Sequence, residues 1–305
     1  RRMADNSGSV WAVVVTYQPE LEKLDGLLTS LTHQVNGVVI VDNGSAESVL
    51  SWLNIYRSEI PMVVTPLFEN KGVAAAQNVG IDCARKHSAD YVILFDHDSK
   101  PASDMVTRLH RVAEEKVAQG IDVAAVGPRY LDERQENPPP FILVVGLQVV
   151  RQSCHCRDAV VDVDYLIASG CLIPMRTLDA VGLMREELFI DYVDIEWGLR
   201  AKSKGYHSFG ACAALMSHDL GDEPFHFFGK KYPSHSASRH YYHFRNAVWM
   251  YRQSWLPLNW KLADGWRLVL KYGFYSLFAK PRHVHWWMMT KGVWHALNSR
   301  MGRLN

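Results

Sequence analysis

The acidic residues of this chain fall where they could do chemistry. Asp96-His97-Asp98 sets two carboxylates one residue apart, directly after the apolar run YVILF at 91–95. Hard oxygen donors in that pattern suit Mg²⁺ or Mn²⁺, and such an ion commonly also holds substrate phosphates. A bare D-x-D also arises as a solvated turn; its place after an apolar run favours the metal, with Asp96 and Asp98 as ligands. His218, isolated in MSHDLGD, is a candidate third ligand through neutral imidazole. Asp42 follows GVVIV. Its carboxylate can accept a pyrimidine ring N–H or a ribose hydroxyl, or it can cap the next helix as an Asx-turn.

Asn70-Lys71-Gly72 precedes an Ala-rich stretch containing Asn78 and Gly80. Small residues at a helix start let a nucleotide approach, and the helix end favours phosphate. Close helix–sheet packing is the alternative. Asp191, Asp194 and Glu196 lie in ELFIDYVDIEWGLR. A carboxylate beside an acceptor hydroxyl acts as general base, whereas acids at a helix start also simply complement its dipole. Cys154-His155-Cys156 has no second pair at zinc spacing and reads as structural. The chain lacks a G-x-S-x-G elbow, a Walker loop and the G-x-G-x-x-G fingerprint, which disfavours serine hydrolases, ATPases and NAD enzymes.

The elements that must position these groups are legible from hydrophobic pattern. VWAVVVTY at 10–17, GVVIV at 37–41, 62–66, 91–95 and 123–126 are continuous apolar runs, as expected of strands buried on both faces. Helical patterns at 21–31, 73–86 and 105–117 alternate with them, which implies a mostly parallel sheet in an α/β fold. The polar clusters Thr16-Tyr17, Asp42-Asn43 and Asp96-His97-Asp98 all follow strand ends, where open α/β sheets bind ligands. Residues 131–140 read as a Pro-rich loop, 141–150 and 159–167 as irregular or antiparallel strands, and everything from Tyr241 onward as helical.

Composition bounds the reading. The 305 residues are 48% hydrophobic and 21% charged, ordinary for a folded domain. Five scattered cysteines suggest free thiols in a reducing compartment. A net charge of +1 argues against nucleic acid as a partner. Residues 255–305 nevertheless hold eight Lys/Arg and one acid, Asp264, a balance of +7 that leaves −6 for residues 1–254. Seven of the ten Trp lie between 249 and 294. Trp286, Trp287 and Trp294 with Lys280, Arg282 and Lys291 suggest an interfacial segment on an anionic membrane; a helical cap or an interface with a second copy is the alternative. The apolar runs are too short for a transmembrane helix, and residues 1–9 lack the apolar stretch of a secretory signal.

Taken in order, VVVTYQP, VVIVDNGS, NKGVAAAQNVGI, YVILFDHDSKP, ASGCLI, ELFIDYVDIEWGLRA, His218 and RHYYHFRN resemble family 2 glycosyltransferases. DHDSKP with FIDYVDIEW is most similar to bacterial rhamnosyltransferases that build O-antigen and related polysaccharides. The resemblance spans about residues 10–249 and implies a GT-A fold, with a Rossmann-like central sheet flanked by helices. It implies a glycosyltransferase domain over 10–250, its nucleotide-binding half about 10–130 and its acceptor half about 131–250, followed by a helical basic, Trp-rich extension over 251–305.

The resemblance also implies roles. Thr16, Tyr17, Asp42, Asn70, Lys71 and Asn78 would surround the nucleotide, with Asp42 on the pyrimidine. Asp96 would face the ribose and diphosphate, Asp98 would bind the metal, and His218 would complete that site. Asp194 would deprotonate the acceptor, with Asp191 as a rival base because Val193 replaces the acid usual in the family. Ser169, Gly170, Asp191, Glu196 and Trp197 would lie near the sugars. Arg239, Tyr242 and Arg245 would clamp the leaving diphosphate. The implied reaction is inverting, metal-dependent transfer of L-rhamnose from dTDP-β-L-rhamnose to a lipid-linked glycan, at the cytoplasmic face of the bacterial plasma membrane. A UDP-sugar donor is the first alternative and a non-catalytic glycan-binding scaffold the second. A nucleotide-sugar pyrophosphorylase is disfavoured for want of a Gly-rich nucleotidyl loop.

Overall fold

The computed structural model describes residues 8–131, 141–218, 225–227, 230–232 and 235–304, with 218 and the strand residues after it described by backbone alone. The expected loop at 131–140 therefore lies outside the described residues beyond Leu131, as does the expected lack of an apolar leader over residues 1–7.

A nine-stranded sheet organises the chain. Its first strands are β1 (Val10–Thr16), β2 (Gly37–Asp42), β3 (Met62–Pro66) and β4 (Tyr91–Asp96), in the order β3-β2-β1-β4 and parallel throughout. These are the expected apolar runs. β1 is buried along its whole length because helices cover both faces. Helix α1 (Leu21–Leu31) and helix α2 (Glu47–Ile55) connect the first three strands, and α3 (Val73–Lys86) leads into β4. Leu24, Leu27, Leu28 and Leu31 turn the inner face of α1 onto one side of the sheet, and Ala74, Ala76, Ile81 and Ala84 of α3 cover the other.

Beyond β4 the order is less simple. β5 (Ser99–Pro101) is followed by α4 (Met105–Ala118) and β6 (Val123–Leu131). Of the irregular or antiparallel strands expected over 141–150, the antiparallel form is found: β7 (Phe141–Val145) and β8 (Gln148–Gln152) make a hairpin, with Gly146 at positive φ in the turn. Then come β9 (Val160–Val163), β10 (Leu172–Pro174), α5 (Met175–Val181), α6 (Val193–Ser203) and β11 (His207–His218). Although β10 arrives late in the sequence, it inserts antiparallel between β4 and β6. β11 runs parallel to β6, while β5 and β9 pair antiparallel to β11. Three helices follow: α7 (Ala237–Tyr251), α8 (Leu258–Phe278) and α9 (Arg282–Leu297).

The cysteine expectation needs correction. Cys154 and Cys212 form a disulfide, with Cα atoms 5.8 Å apart. Pairing of β9 with β11 brings the two together although 58 residues separate them in sequence. Cys83, Cys156 and Cys171 are free thiols.

Gly80 decides between the two readings of the Ala-rich helix. A Cβ built there would lie 2.2 Å from Val13 Cγ1 of β1. The small side chains thus let α3 sit down on the sheet, which corrects the expectation that they thin the helix for a ligand. Gly80→Ala adds about 1 kcal/mol of helix propensity but forces overpacking costing ~1–3 kcal/mol. The variant is expected to unfold at lower urea, with the slope of the transition unchanged; an unmoved midpoint would show that α3 can shift away freely.

Candidate active site

An open cleft of about 1620 Å³, its mouth included, lies at the carboxyl ends of β1 and β4. Its walls include Tyr17, Asn43 and Asn70 on one side, Asp96, His97 and Asp98 at the end of β4, Ala168 and Ser169, and the segment 189–195, with Arg239 and His243 from α7. Tyr17, Asn70, Asp96, Asp98, Ser169, Asp191, Asp194 and Arg239 were all expected from sequence, and the fold brings them to this one cavity.

Asp194 has the most distinctive environment. It is the second residue of α6, and its oxygens accept the N–H groups of Ile195 at 2.9 Å and Ala168 at 3.2 Å. Behind it a small apolar space is lined by Leu94, Cys171, Met184 and Trp197. Burial raises its pKa from 3.8 to about 6; the two N–H groups oppose this, and the negative charge of Asp191 adds to it. The result is a carboxylate with no cationic partner among the described residues, poised to take a proton near neutral pH. Asp191 differs: Arg239 donates to it at 3.2–3.3 Å. Its carboxylate is thereby committed, which favours Asp194 over its rival as the base.

The loop carrying these acids is strained. Phe189, Asp191 and Tyr192 all have positive φ, a conformation that costs a non-glycine residue of order 1 kcal/mol or more. Two side chains of α7 hold it. Asn246 Nδ2 lies 2.7–2.9 Å from the carbonyls of Leu188, Ile190 and Asp191. Arg245 donates to the carbonyls of Leu188 at 2.9 Å and Glu187 at 3.2 Å, and to Gly302 near the last described residue. Tyr192 is fixed from outside by its hydroxyl bond to Asp264 of α8, 3.0 Å.

Several expected contacts are therefore corrected. Arg245 is fully buried on backbone carbonyls and does not face a diphosphate. Tyr242 stacks on Phe189 with ring centroids 5.0 Å apart, and its hydroxyl accepts Leu304 N–H. Glu196 points away from the cleft into a buried pair with Arg200, at 2.8 and 3.1 Å. Trp197 donates its indole N–H to Gly182 and backs Asp194 from the core. Asn78 is a tether: it exchanges hydrogen bonds with Met184 and donates to Glu186. Lys71 pairs at 3.8 Å with Glu69 on the surface. Gly170 lies under the cleft floor, its N–H donated to Leu94.

Along the wall that carries Tyr17, Asn43 and Asn70, Thr16 and Asp42 are buried. Thr16 donates to one Asp42 oxygen at 2.8 Å and Ser45 N–H to the other at 2.9 Å, the Asx-turn arrangement. This leaves Tyr17, half exposed, with Asn43 and Asn70 as the groups that line the cleft. The start of α3 is also partly taken: Val73 N–H donates to Phe189 at 2.8 Å. Gly72, at φ +89, is obligatory, since a Cβ there would meet the Phe189 ring at 2.6 Å.

Asp96 and Asp98 offer the hard oxygen donors that Mg²⁺ or Mn²⁺ needs, on a turn between β4 and β5. β5 pairs with the end of β11, placing the His218 backbone opposite Ser99, next to Asp98. The His218 side chain lies outside the described residues, and among those described no group of three metal-ligating side chains converges. The donor set fits a divalent ion held by two carboxylates that keeps its remaining sites for substrate oxygens.

Two cleft residues escaped sequence reasoning. Gln77 lines the cleft and is buried, its Oε1 without a hydrogen-bond partner among the described residues. His243 is held neutral by burial first and by the Lys271 charge second, its Nε2 3.2 Å from Lys271 Nζ. Gln77 sits among small helix residues and His243 in an aromatic run, so neither stood out by type.

Among solved structures, the chain resembles S. aureus TarS 1-349 in complex with UDP-GlcNAc, at TM-score 0.61 and 17% identity over 94% of this chain and 81% of that one. It resembles GalNAc-T7 with UDP, GalNAc and Mn2+ at TM-score 0.60 and 11% identity, covering 96% of this chain and 58% of that one, a little over half of its length. These likenesses establish the GT-A fold.

Glycosyl transferase family 2 matches residues 11–152, and the dTDP-rhamnosyl transferase RfbF of Shigella flexneri is 32% identical over 255 residues, 83% of each chain. This chain belongs to glycosyl transferase family 2.

Two outcomes follow from the site. Turnover is expected to rise with pH through about 6 as Asp194 ionises. Because its folded pKa is raised above 3.8, the charged form costs stability from about pH 4 upward, fully above pH 6. Asp194→Asn should therefore lower the rate roughly 10²–10⁴-fold without lowering the melting temperature at pH 7.5; a melting temperature that falls would show the carboxylate is structural. Asn246→Ala, which strips partners from buried carbonyls, should cost ~1–3 kcal/mol by urea titration and reduce turnover with it.

Proposed function

We propose that the protein transfers L-rhamnose from dTDP-β-L-rhamnose to a hydroxyl of a lipid-linked glycan, with inversion, in bacterial surface-polysaccharide synthesis. The observation that carries the reading is the half-buried Asp194, its pKa raised to about 6, in one cleft with Asp96 and Asp98. The identity to a dTDP-rhamnosyl transferase over most of both chains supports the donor.

The roles follow from charge. Breaking the bond between the anomeric carbon and the phosphate oxygen builds negative charge on the departing diphosphate. Mg²⁺ or Mn²⁺ on Asp96 and Asp98 would supply Lewis-acid stabilisation of that charge. Tyr17, Asn43 and Asn70 bind the nucleotide from the opposite wall, and the Arg239 guanidinium adds positive charge at the mouth. Ser169, whose Oγ accepts the Asp96 N–H at 3.3 Å, fixes the floor beneath the sugar. Asp194 takes the acceptor hydroxyl proton as its oxygen attacks the anomeric carbon on the face opposite the leaving group, giving an α-L-rhamnoside. The basic, Trp-rich residues 255–305 support a lipid-linked acceptor and work as a peripheral protein at the inner membrane face. We take residues 10–250 as the catalytic domain and 251–305 as the membrane-facing extension.

The test is nucleotide release from dTDP-β-L-rhamnose with Mn²⁺ or Mg²⁺, with and without EDTA, over a panel of lipid-linked acceptors. Wild type should release dTDP only with metal, and Asp98→Ala and Asp194→Ala should each lose at least about 10² in rate. Turnover of UDP-sugars with none of dTDP-rhamnose would overturn the donor and keep the chemistry; full activity in Asp98→Ala would overturn the metal site.

A further inference from the structure

α8 has two faces of opposite character. Its inner face buries Trp260, Ala263 and Leu268 and carries Asp264 to Tyr192. Its outer face presents Leu258, Leu262, Trp266, Val269, Leu270 and Leu277, each between 53% and 69% exposed. The first five are linked by steps of three or four residues and Leu277 lies seven, about two turns, after Leu270, so they form one stripe along the helix. At about 1.5 Å per residue the stripe runs roughly 29 Å. Among the exposed residues of α8, Arg267 alone is charged. The stripe continues past the helix start: Asn259 Nδ2 donates at 2.9 Å to Gly146 at the tip of the β7–β8 hairpin, where Val145 and Leu147 are 56% and 64% exposed. An apolar surface this long and continuous on a water-facing helix marks a contact.

We propose that the outer face of α8, with the β7–β8 tip, is the surface that lies in the headgroup region of an anionic lipid bilayer. The inference rests on the membrane reading above and moves the contact from the Trp residues of α9 to α8. Charge selects the occupant. Asp264, the one acid of residues 255–305, is turned inward onto Tyr192 and Tyr251, while Arg267, Lys280 and Arg282 are exposed beside the stripe. A second copy on the same face would set one +7 segment against another, and like-charge juxtaposition is costly. No helix among the described residues is long and apolar enough to cross a membrane, so α8 lies along the surface. Trp266 sits mid-stripe, and tryptophan prefers the headgroup level.

The test is co-sedimentation of the full chain with phosphatidylglycerol-containing and phosphatidylcholine-only vesicles. Wild type should bind the anionic vesicles more tightly. The double variant Leu262→Glu/Trp266→Glu should weaken that binding about tenfold or more, and Val145→Glu/Leu147→Glu should act in the same direction. Trp287→Glu/Trp294→Glu on α9 should change it less than about twofold. All these side chains are exposed, so melting temperatures should stay at the wild-type value. If the α9 variant abolishes binding and the α8 variant does not, this proposal fails and the membrane reading survives. If wild type binds no vesicle, both fail. A wild-type dimer that Leu262→Glu/Trp266→Glu turns monomeric, with vesicle binding unchanged, would assign the stripe to a second copy.

Discussion

Arg245 and Asn246 on α7 hold the carbonyls of residues 187–191, and the arrangement of the cleft depends on that contact. The loop they hold contains three residues in a backbone conformation that only glycine adopts cheaply. Left alone it would relax. Held, it aims Asp191 at the cleft mouth, passes Tyr192 to α8, and starts α6 so that Asp194 faces the cavity. The Phe189 carbonyl on the same loop accepts the first amide of α3, so that helix is registered against the loop through one peptide group. Buried guanidinium and amide groups suit this task because each can satisfy several carbonyls at once.

The carboxylates of α6 and its approach are sorted by their partners. Glu196 is neutralised by Arg200 in the core, and Asp191 by Arg239 near solvent. Asp194 accepts backbone amides, has an apolar space behind it and opens on the cleft. Three acids within six residues thus become a structural ion pair, a surface ion pair and a carboxylate with elevated proton affinity. The sequence motif FIDYVDIEW shows their spacing; the sorting depends on where the partners arrive from.

The apolar strands could be read almost residue by residue. Val73–Lys86 and Met62–Pro66 match their expected spans, because strong periodicity and clear turn residues bound them. β5, β10 and β11 were not legible: two are only three residues long, and β11 carries Gly210 and small residues that break any apolar run. At the site, position relative to strand ends was enough to gather Asp96 and Asp98, while Asp194, at a helix start, was singled out by the family resemblance. It could not tell a side chain that faces the cleft from one buried behind it. Asp42, Asn78, Glu196 and Arg245 are polar, well placed and committed to neighbours 3 to 108 residues away. Those partners are tertiary facts, as is the Cys154–Cys212 bridge.

The antiparallel strand β10 makes the central sheet a shared possession. It closes the gap between β4 and β6 with residues that follow both strands in sequence, and β11 then extends the sheet beyond β6. A cut at residue 130 would leave β4 with an open edge and β6 with neither neighbour. The segments before and after β6 are consequently poor currency for recombination: a chimaera that exchanges everything after β6 must also import a strand that fits between two foreign ones, in register. The loops and helices around that strand have room to diversify, while the strand itself ties the two segments to a common descent.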